Sequence, residues 1–267
     1  MSLFDYDYEK LLDFYSNLGI KKSSVVYITG NFGRFGRYAK NDKESILRDH
    51  FQAIYSLLGD KGTIVVPTHS WSLCNTDNVF DINETISETG PFSEYIRNKE
   101  GSVRQLHPFS SSTAFGYKAR EICSDNSRHV YGYHSPFQRM LDNDAFFLSV
   151  GQKIQTTISL VHHIEFLMGV PYRYSKEFIH PCKIGKSIEN LPFYIFALRK
   201  DCDIRRDRNR KFLIDFESKY NLLSAKLGRS FGESLRMKDF LESATNLLKK
   251  DIYNWLEEEP KNKPFRN

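Results

Sequence analysis

Hydrophobic positions along the chain fall into alternating helical and extended patterns. Tyr8, Leu11, Leu12, Tyr15 and Leu18 recur at helical spacing, and Gly19 stops the run. Residues 24–28 (Ser-Val-Val-Tyr-Ile) form a short β-branched run that predicts a buried strand. Leu47, Phe51, Ile54 and Leu58 mark a second helix ended by Gly59, and residues 63–67 (Thr-Ile-Val-Val-Pro) a second strand. Strand, helix, strand at this spacing predicts a βαβ unit with a parallel pair. Residues 68–90 have no period and read as loop. Ser135-Pro136 predicts a helix N-cap followed by proline at the first helical position. Residues 145–150, closed by Gly151, predict a strand, 158–168 a helix and 193–198 a strand. Phe240, Leu241, Ala244, Leu247, Leu248, Ile252 and Trp255 predict a C-terminal helix. No internal repeat or low-complexity linker interrupts the chain. The expectation is one α/β domain over residues 1–267, with a mixed, partly parallel central sheet flanked by helices and with inserted loops; a split near residue 185 is the alternative.

Composition narrows the class. With 40% apolar and 27% charged residues among 267, the chain is globular in character. The net charge of +5 comes from 38 basic and 33 acidic residues. Residues 199–211 hold seven basic and three acidic side chains, a net +4, which leaves +1 for everything else. General attraction to polyanions is therefore not expected, and neither is a nucleic-acid partner. No apolar run approaches the roughly 18 residues needed to span a bilayer, so no membrane partner is expected. The N-terminal residues lack the pattern of a signal peptide. Cys74, Cys123, Cys182 and Cys202 form no CxxC pair, which argues against a zinc ribbon or disulfide framework. A cytoplasmic location is the expectation.

Four segments could carry chemistry. Thr29, Gly30, Asn31, Phe32, Gly33, Arg34, Phe35, Gly36 and Arg37 follow the first strand. Glycines at three-residue spacing let backbone N–H groups approach an anion, although a flexible surface turn has the same composition. Arg104, His107, Pro108, Phe109, Ser110, Ser111, Ser112 and Thr113 could face phosphate or amide groups, or form a polar loop entering a strand. In the helix at 158–168, His162 and Glu165 lie at i and i+3 on one face, while His163 points elsewhere. A hydrogen-bonded core histidine is the plain reading of that pattern. No third ligand is placed by spacing, so no metal is expected. The basic run 199–211 is either a solvated face or an anion-recognising surface.

In this order the pieces resemble the aminoglycoside 3-N-acetyltransferase family. The resemblance rests on Leu18-Gly19-Ile20, the first strand, Gly62-Thr63-Ile64-Val65-Val66-Pro67-Thr68, Phe80-Asp81, and Ser87-Glu88-Thr89-Gly90. It continues through Arg104, His107-Pro108, Ser111, Ala114, Gly116, Ser135-Pro136-Phe137, the stretch from Thr157 to Glu165, and Lys226-Leu227-Gly228. It implies acetyl-CoA as co-substrate, with no metal, and a small-molecule amine as acceptor. His162 would activate that amine, with Glu165 as the accompanying acid. Thr29 to Gly33 and His107 to Ser112 would take the thioester and pantetheine, and Arg34 and Arg37 the CoA phosphates. Trp71, Asp81, Arg205 and Arg206 would contact the acceptor. The chain departs from the family at Thr29-Gly30-Asn31-Phe32, where His-Ser-Ser-Leu is frequent, and at Phe109-Ser110-Ser111, which lacks a second histidine. Residues 199–211 are basic where drug-modifying relatives are typically acidic. The main expectation is accordingly acetyl transfer to an amino sugar, nucleotide-linked or otherwise anionic. Aminoglycoside 3-N-acetylation is the alternative, and a non-catalytic CoA- or nucleotide-binding module the second alternative.

Overall fold

The computed structural model describes residues 4–40, 42–125, 127–204 and 208–260. Helix α1 (Tyr8–Asn17) starts at Asp7, whose side chain accepts from the Lys10 N–H. There follow β1 (Val25–Gly30), α2 (Lys43–Leu58), β2 (Thr63–Pro67), α3 (Pro91–Arg97), β3 (Val103–Arg104), β4 (Ser112–Gly116) and α4 (Ala119–Cys123). The chain continues through α5 (Pro136–Asp142), β5 (Phe146–Val150), α6 (Leu160–Leu167), β6 (Arg173–Ile184), β7 (Ser187–Leu198), α7 (Arg208–Glu217), β8 (Leu222–Leu227), β9 (Ser230–Arg236) and α8 (Met237–Lys250). Helix α5 begins as expected, with Ser135 Oγ accepting from Gln138 N at 3.3 Å.

Seven strands form one mixed sheet in the order β3-β4-β2-β1-β5-β9-β8. The central trio is parallel: β1 pairs with β2 on one side and with β5 on the other. The outer pairings are antiparallel. Strand alternation sends Val25 and Tyr27 to one face and Val26 and Ile28 to the other. The first pair joins a core with residues of α4, α5, α6, α7 and α8. The second joins a core with α1, α2 and α3. Helices thus cover both faces of a sheet whose central strands carry apolar side chains to both faces, as buried parallel strands do. Each fully buried Leu or Phe in these layers contributes about 1.5–3 kcal/mol. Among the described residues, no helix is long and apolar enough to cross a membrane.

The structure departs from the sequence pattern in three places. Helix α8 ends at Lys250, because Asp251 turns extended (φ −148°, ψ 100°). Ile252 and Trp255 are therefore not helical, although Trp255 is buried in the same core as α8. Residues 193–198 are the end of a longer strand, β7, paired with β6 along its whole length in a two-stranded ribbon. The ribbon turns at Gly185-Lys186, with Gly185 in the left-handed region (φ 59°). Residue 185 is thus a hairpin turn, and β8 and β9 beyond it join the same sheet as β1. The ribbon's charged residues, exposed outer face and prolines at 181 and 192 hide its period. Strands β8 and β9 were likewise not legible as strands, since an antiparallel edge carries a weaker apolar pattern.

Candidate active site

Helix α6 fixes the site. At i and i+3 on its first two turns, His162 Nδ1 and Glu165 Oε2 are 2.8 Å apart. Glu165 is 1% exposed, and the same oxygen lies 2.7 Å from Nε of Arg173 at the start of β6. Arg173 also donates from Nη1 to Phe196 O at 3.3 Å. A carboxylate paired with a guanidinium accepts hydrogen bonds only, so Nδ1 of His162 donates to it, and in the neutral ring Nε2 is the nitrogen with the lone pair. The His162 side chain remains 34% exposed. It opens on a cleft of about 460 Å³ lined also by Thr157, Ser159, Leu198, Ile204 and Trp255. The cleft's ionisable lining is His162, Glu165 and Arg173, which sum to no net charge when the histidine is neutral. His163 points the other way and is buried. Its Nδ1 accepts from Gly132 N at 3.3 Å, its Nε2 donates to Gln138 Oε1 at 3.2 Å, and burial lowers its pKa to about 4.

A longer groove of about 730 Å³ runs over the C-terminal ends of β1, β2 and β5. Thr29, Gly30, Asn31, Phe32 and Gly33 line it, with His69 and Glu88 after β2 and Gln152 after β5. Crevices at the carboxyl ends of parallel strands are the common ligand positions of open α/β sheets. The loop after β1 is held by Asn31, whose Oδ1 accepts from Gly33 N at 3.1 Å. Phe32 stacks on Phe92 at 4.3 Å between ring centroids, and Ile46, Leu47, Pro67 and Pro91 extend this apolar wall. Thr157 and Ser159 line both the groove and the cleft. The two spaces therefore share a wall at the start of α6, one turn from His162.

Other expected site residues lie elsewhere. His107 is fully buried and accepts on Nδ1 from Phe109 N (3.3 Å) and Ser110 N (3.2 Å); burial lowers its pKa to about 3. Phe109 sits in a small apolar cluster beneath the β6–β7 ribbon. Ser111 donates to Thr68 O at 2.6 Å and accepts from Arg104 Nε at 3.0 Å. His107, Phe109, Ser110 and Ser111 therefore support the end of β2 from behind and line neither space. Arg34 is turned to Gly151 O (3.4 Å) and is absent from the groove lining. Trp71 donates to His69 Nδ1 at 3.2 Å and lines neither the cleft nor the groove. Asp81 pairs with Lys183 on β6 at 2.7 Å and accepts from Asn83 N, away from His162. Arg205 and Arg206 lie outside the described residues. Leu198 and Ile204, which border the first part of the basic segment, do line the His162 cleft.

Arg173 and His69 escaped the sequence reading, which quoted Glu88 only within Ser87-Glu88-Thr89-Gly90 and gave it no role in the site. Arg173 had a usable signal. A carboxylate on an apolar helix needs a cation when buried, and Arg173 is the first arginine after Glu165. Among the described residues, no group of three or more histidine, cysteine or acidic side chains is placed to hold a metal.

Fold and site together define an open α/β protein in which a histidine–glutamate pair meets a long groove at the strand ends. The chain belongs to the aminoglycoside 3-N-acetyltransferase family, whose model matches residues 34–249. It is 24% identical over 184 residues to aminoglycoside N(3)-acetyltransferase IX of Micromonospora chalcea, a match covering 61% of this chain and 62% of that protein. The chain thus spans under two thirds of that curated relative. Among solved structures it superposes on AAC-IIIb in binary complex with CoASH with a TM-score of 0.78 at 17% identity, covering 92% of this chain and 97% of the other. AAC-VIa bound to sisomicin gives 0.77 at 16% identity, covering 92% and 98%. At these identities the likeness establishes the fold.

Proposed function

We propose that this protein moves the acetyl group of acetyl-CoA to an amine of an aminoglycoside, with His162 as general base and Glu165 as its partner. The observation that carries the reading is the His162 ring, held at Nδ1 by buried Glu165 and open to a cleft that adjoins the groove. An amine attacks a thioester only through a free lone pair. As the N–C bond forms, Nε2 of His162 takes the amine proton. The carbonyl becomes an oxyanion, then re-forms as the C–S bond breaks. The departing thiolate takes the proton from the imidazolium and leaves as CoASH. Glu165 holds the ring in the needed tautomer and offsets the charge of the imidazolium, while Arg173 pairs with the buried carboxylate.

The groove suits the co-substrate. Its apolar wall of Phe32 and Phe92 fits an extended alkyl-amide arm, and its length runs toward Lys43 at the start of α2. The acceptor reading favours an aminoglycoside over a nucleotide-linked amino sugar. Family membership and the drug-bound relative support it. The charge argument against a cationic acceptor weakens too. Residues 199–204, of which Ile204 lines the cleft, hold two basic and two acidic side chains and are neutral in sum.

Purified protein incubated with acetyl-CoA and sisomicin should release thiol and yield one singly acetylated product by mass spectrometry. His162→Ala should lower kcat by about 10²–10⁴ while leaving CoA binding intact. Absence of any acetylated aminoglycoside overturns the acceptor reading. CoA binding without transfer to any amine returns the protein to a binding module.

A further inference from the structure

His69 lines the groove but has no part in the proton transfer described above. Its Nδ1 stands 3.2 Å from the indole nitrogen of Trp71. An indole nitrogen donates and cannot accept, so Nδ1 must be the acceptor. In the neutral ring the single proton then sits on Nε2. Burial, with Arg104 behind it, lowers the His69 pKa to about 4, against a smaller opposite effect of Glu88. The ring stays neutral near pH 7 and offers one N–H donor.

The segment that presents His69 is anchored on both sides. Thr68 N donates to Ser111 O at 2.8 Å and Ser70 N to Phe109 O at 3.1 Å. The His69 carbonyl accepts from Glu88 N at 2.8 Å. The Arg104 guanidinium, buried and with no carboxylate in ion-pair contact among the described residues, donates to Thr68 O (2.8 Å), Ser70 Oγ (3.1 Å) and Thr85 O (2.5 Å). Such a frame fixes a donor before any ligand arrives, which is the condition for it to act strongly on a carbonyl.

We propose that His69 donates its Nε2–H to a carbonyl oxygen of the acylated pantetheine arm in this groove, and that Trp71 is the positioning residue that sets the tautomer. The inference rests on the acetyl-CoA reading and adds to it a donor on the wall made by the loop after β2. The thioester carbonyl and the arm's amide carbonyls offer the same chemistry, and two measurements separate them.

Side-chain ¹⁵N spectra of the whole protein should show His69 as the Nε2–H tautomer at pH 7, and Trp71→Phe should mix the tautomers. Calorimetry with CoA and acetyl-CoA reads the ligand side. If an amide carbonyl is the acceptor, His69→Ala weakens both ligands by about fivefold. If the thioester is, CoA affinity holds and kcat falls by about fivefold or more. His69→Gln, which keeps an N–H donor, should restore most of either loss. An Nδ1–H tautomer in the wild type overturns the proposal. So does a folded His69→Ala with unchanged affinity for both ligands and unchanged turnover. A wild type that binds neither ligand overturns it together with the acetyl-CoA reading. His69-dependent CoA binding without any aminoglycoside product supports it while removing the acceptor reading alone.

Discussion

Glu165→Gln perturbs the site with almost no change of shape. The carboxylate is 1% exposed and lies between His162 Nδ1 at 2.8 Å and Arg173 Nε at 2.7 Å. An amide keeps one acceptor oxygen but removes the charge. Arg173, whose side chain is 7% exposed, is then a buried cation with a backbone carbonyl, Phe196 O, as its described hydrogen-bond acceptor. Removing one partner of a buried pair costs about 3–5 kcal/mol. For a chain of this size that lowers the thermal midpoint by about 6–20 °C. Catalysis should suffer separately. The imidazolium loses its countercharge and the ring its fixed tautomer, so kcat should fall by about 10²–10⁴. CoA affinity should hold, because Glu165 does not line the groove. Circular-dichroism melting, thiol-release kinetics and calorimetry read the three quantities. His162→Gln is the control: its side chain is 34% exposed, so it should match the loss of kcat with a much smaller loss of stability. The reasoning fails if folded Glu165→Gln keeps kcat within about threefold. It fails also if the midpoint does not move. Adding Arg173→Met to Glu165→Gln should recover stability but not activity, since an apolar side chain replaces the orphaned cation.

Two further outcomes follow from buried groups and backbone geometry. His50 and His107 are fully buried, and burial lowers both pKa values to about 3. In the unfolded chain they take up protons near pH 6.5, so below that pH the unfolded state binds more protons and native stability falls with pH. Well below pH 6.5 each should contribute about 1.4 kcal/mol per pH unit, or about 4 kcal/mol together between pH 7 and 5. Urea unfolding at pH 7 and pH 5 measures this, and an unchanged free energy would show that these histidines are not held neutral. Gly151, at φ 69°, has no room for a side chain: an added Cβ would lie 2.0 Å from Asn31 O. Gly151→Ala should cost about 1–3 kcal/mol or more and weaken CoA binding by displacing the loop after β1; a variant with wild-type melting and affinity would contradict that close approach.

What could be read from the chain was local. The periodicity around Leu11 and Phe51, the β-branched runs at 25–28 and 63–67, and the Ser135 cap each depend on neighbours within a few residues. The β1-α2-β2 order also implied parallel pairing, and the pairing is present. His162 and Glu165 were legible as a pair because three residues along a helix puts two side chains on one face. By contrast, the turning of His107, Phe109 and Ser111 into the core could not be read. A polar loop has the same composition whether it faces a ligand or a buried guanidinium, and only Arg104's position distinguishes them.

The sequence by itself determined the elements with a clear local period, the α/β class and a histidine–carboxylate pair on one helix turn. The tertiary structure decided that Arg173 completes the pair, that Asn31, His69 and Gln152 share one groove, and that Leu198 and Ile204 wall the cleft. The physical reason is that helix geometry is fixed by bonds between near neighbours. The groove exists because the sheet order β2-β1-β5 sets the ends of three strands side by side, and that order is chosen by burial of whole faces rather than by any single segment.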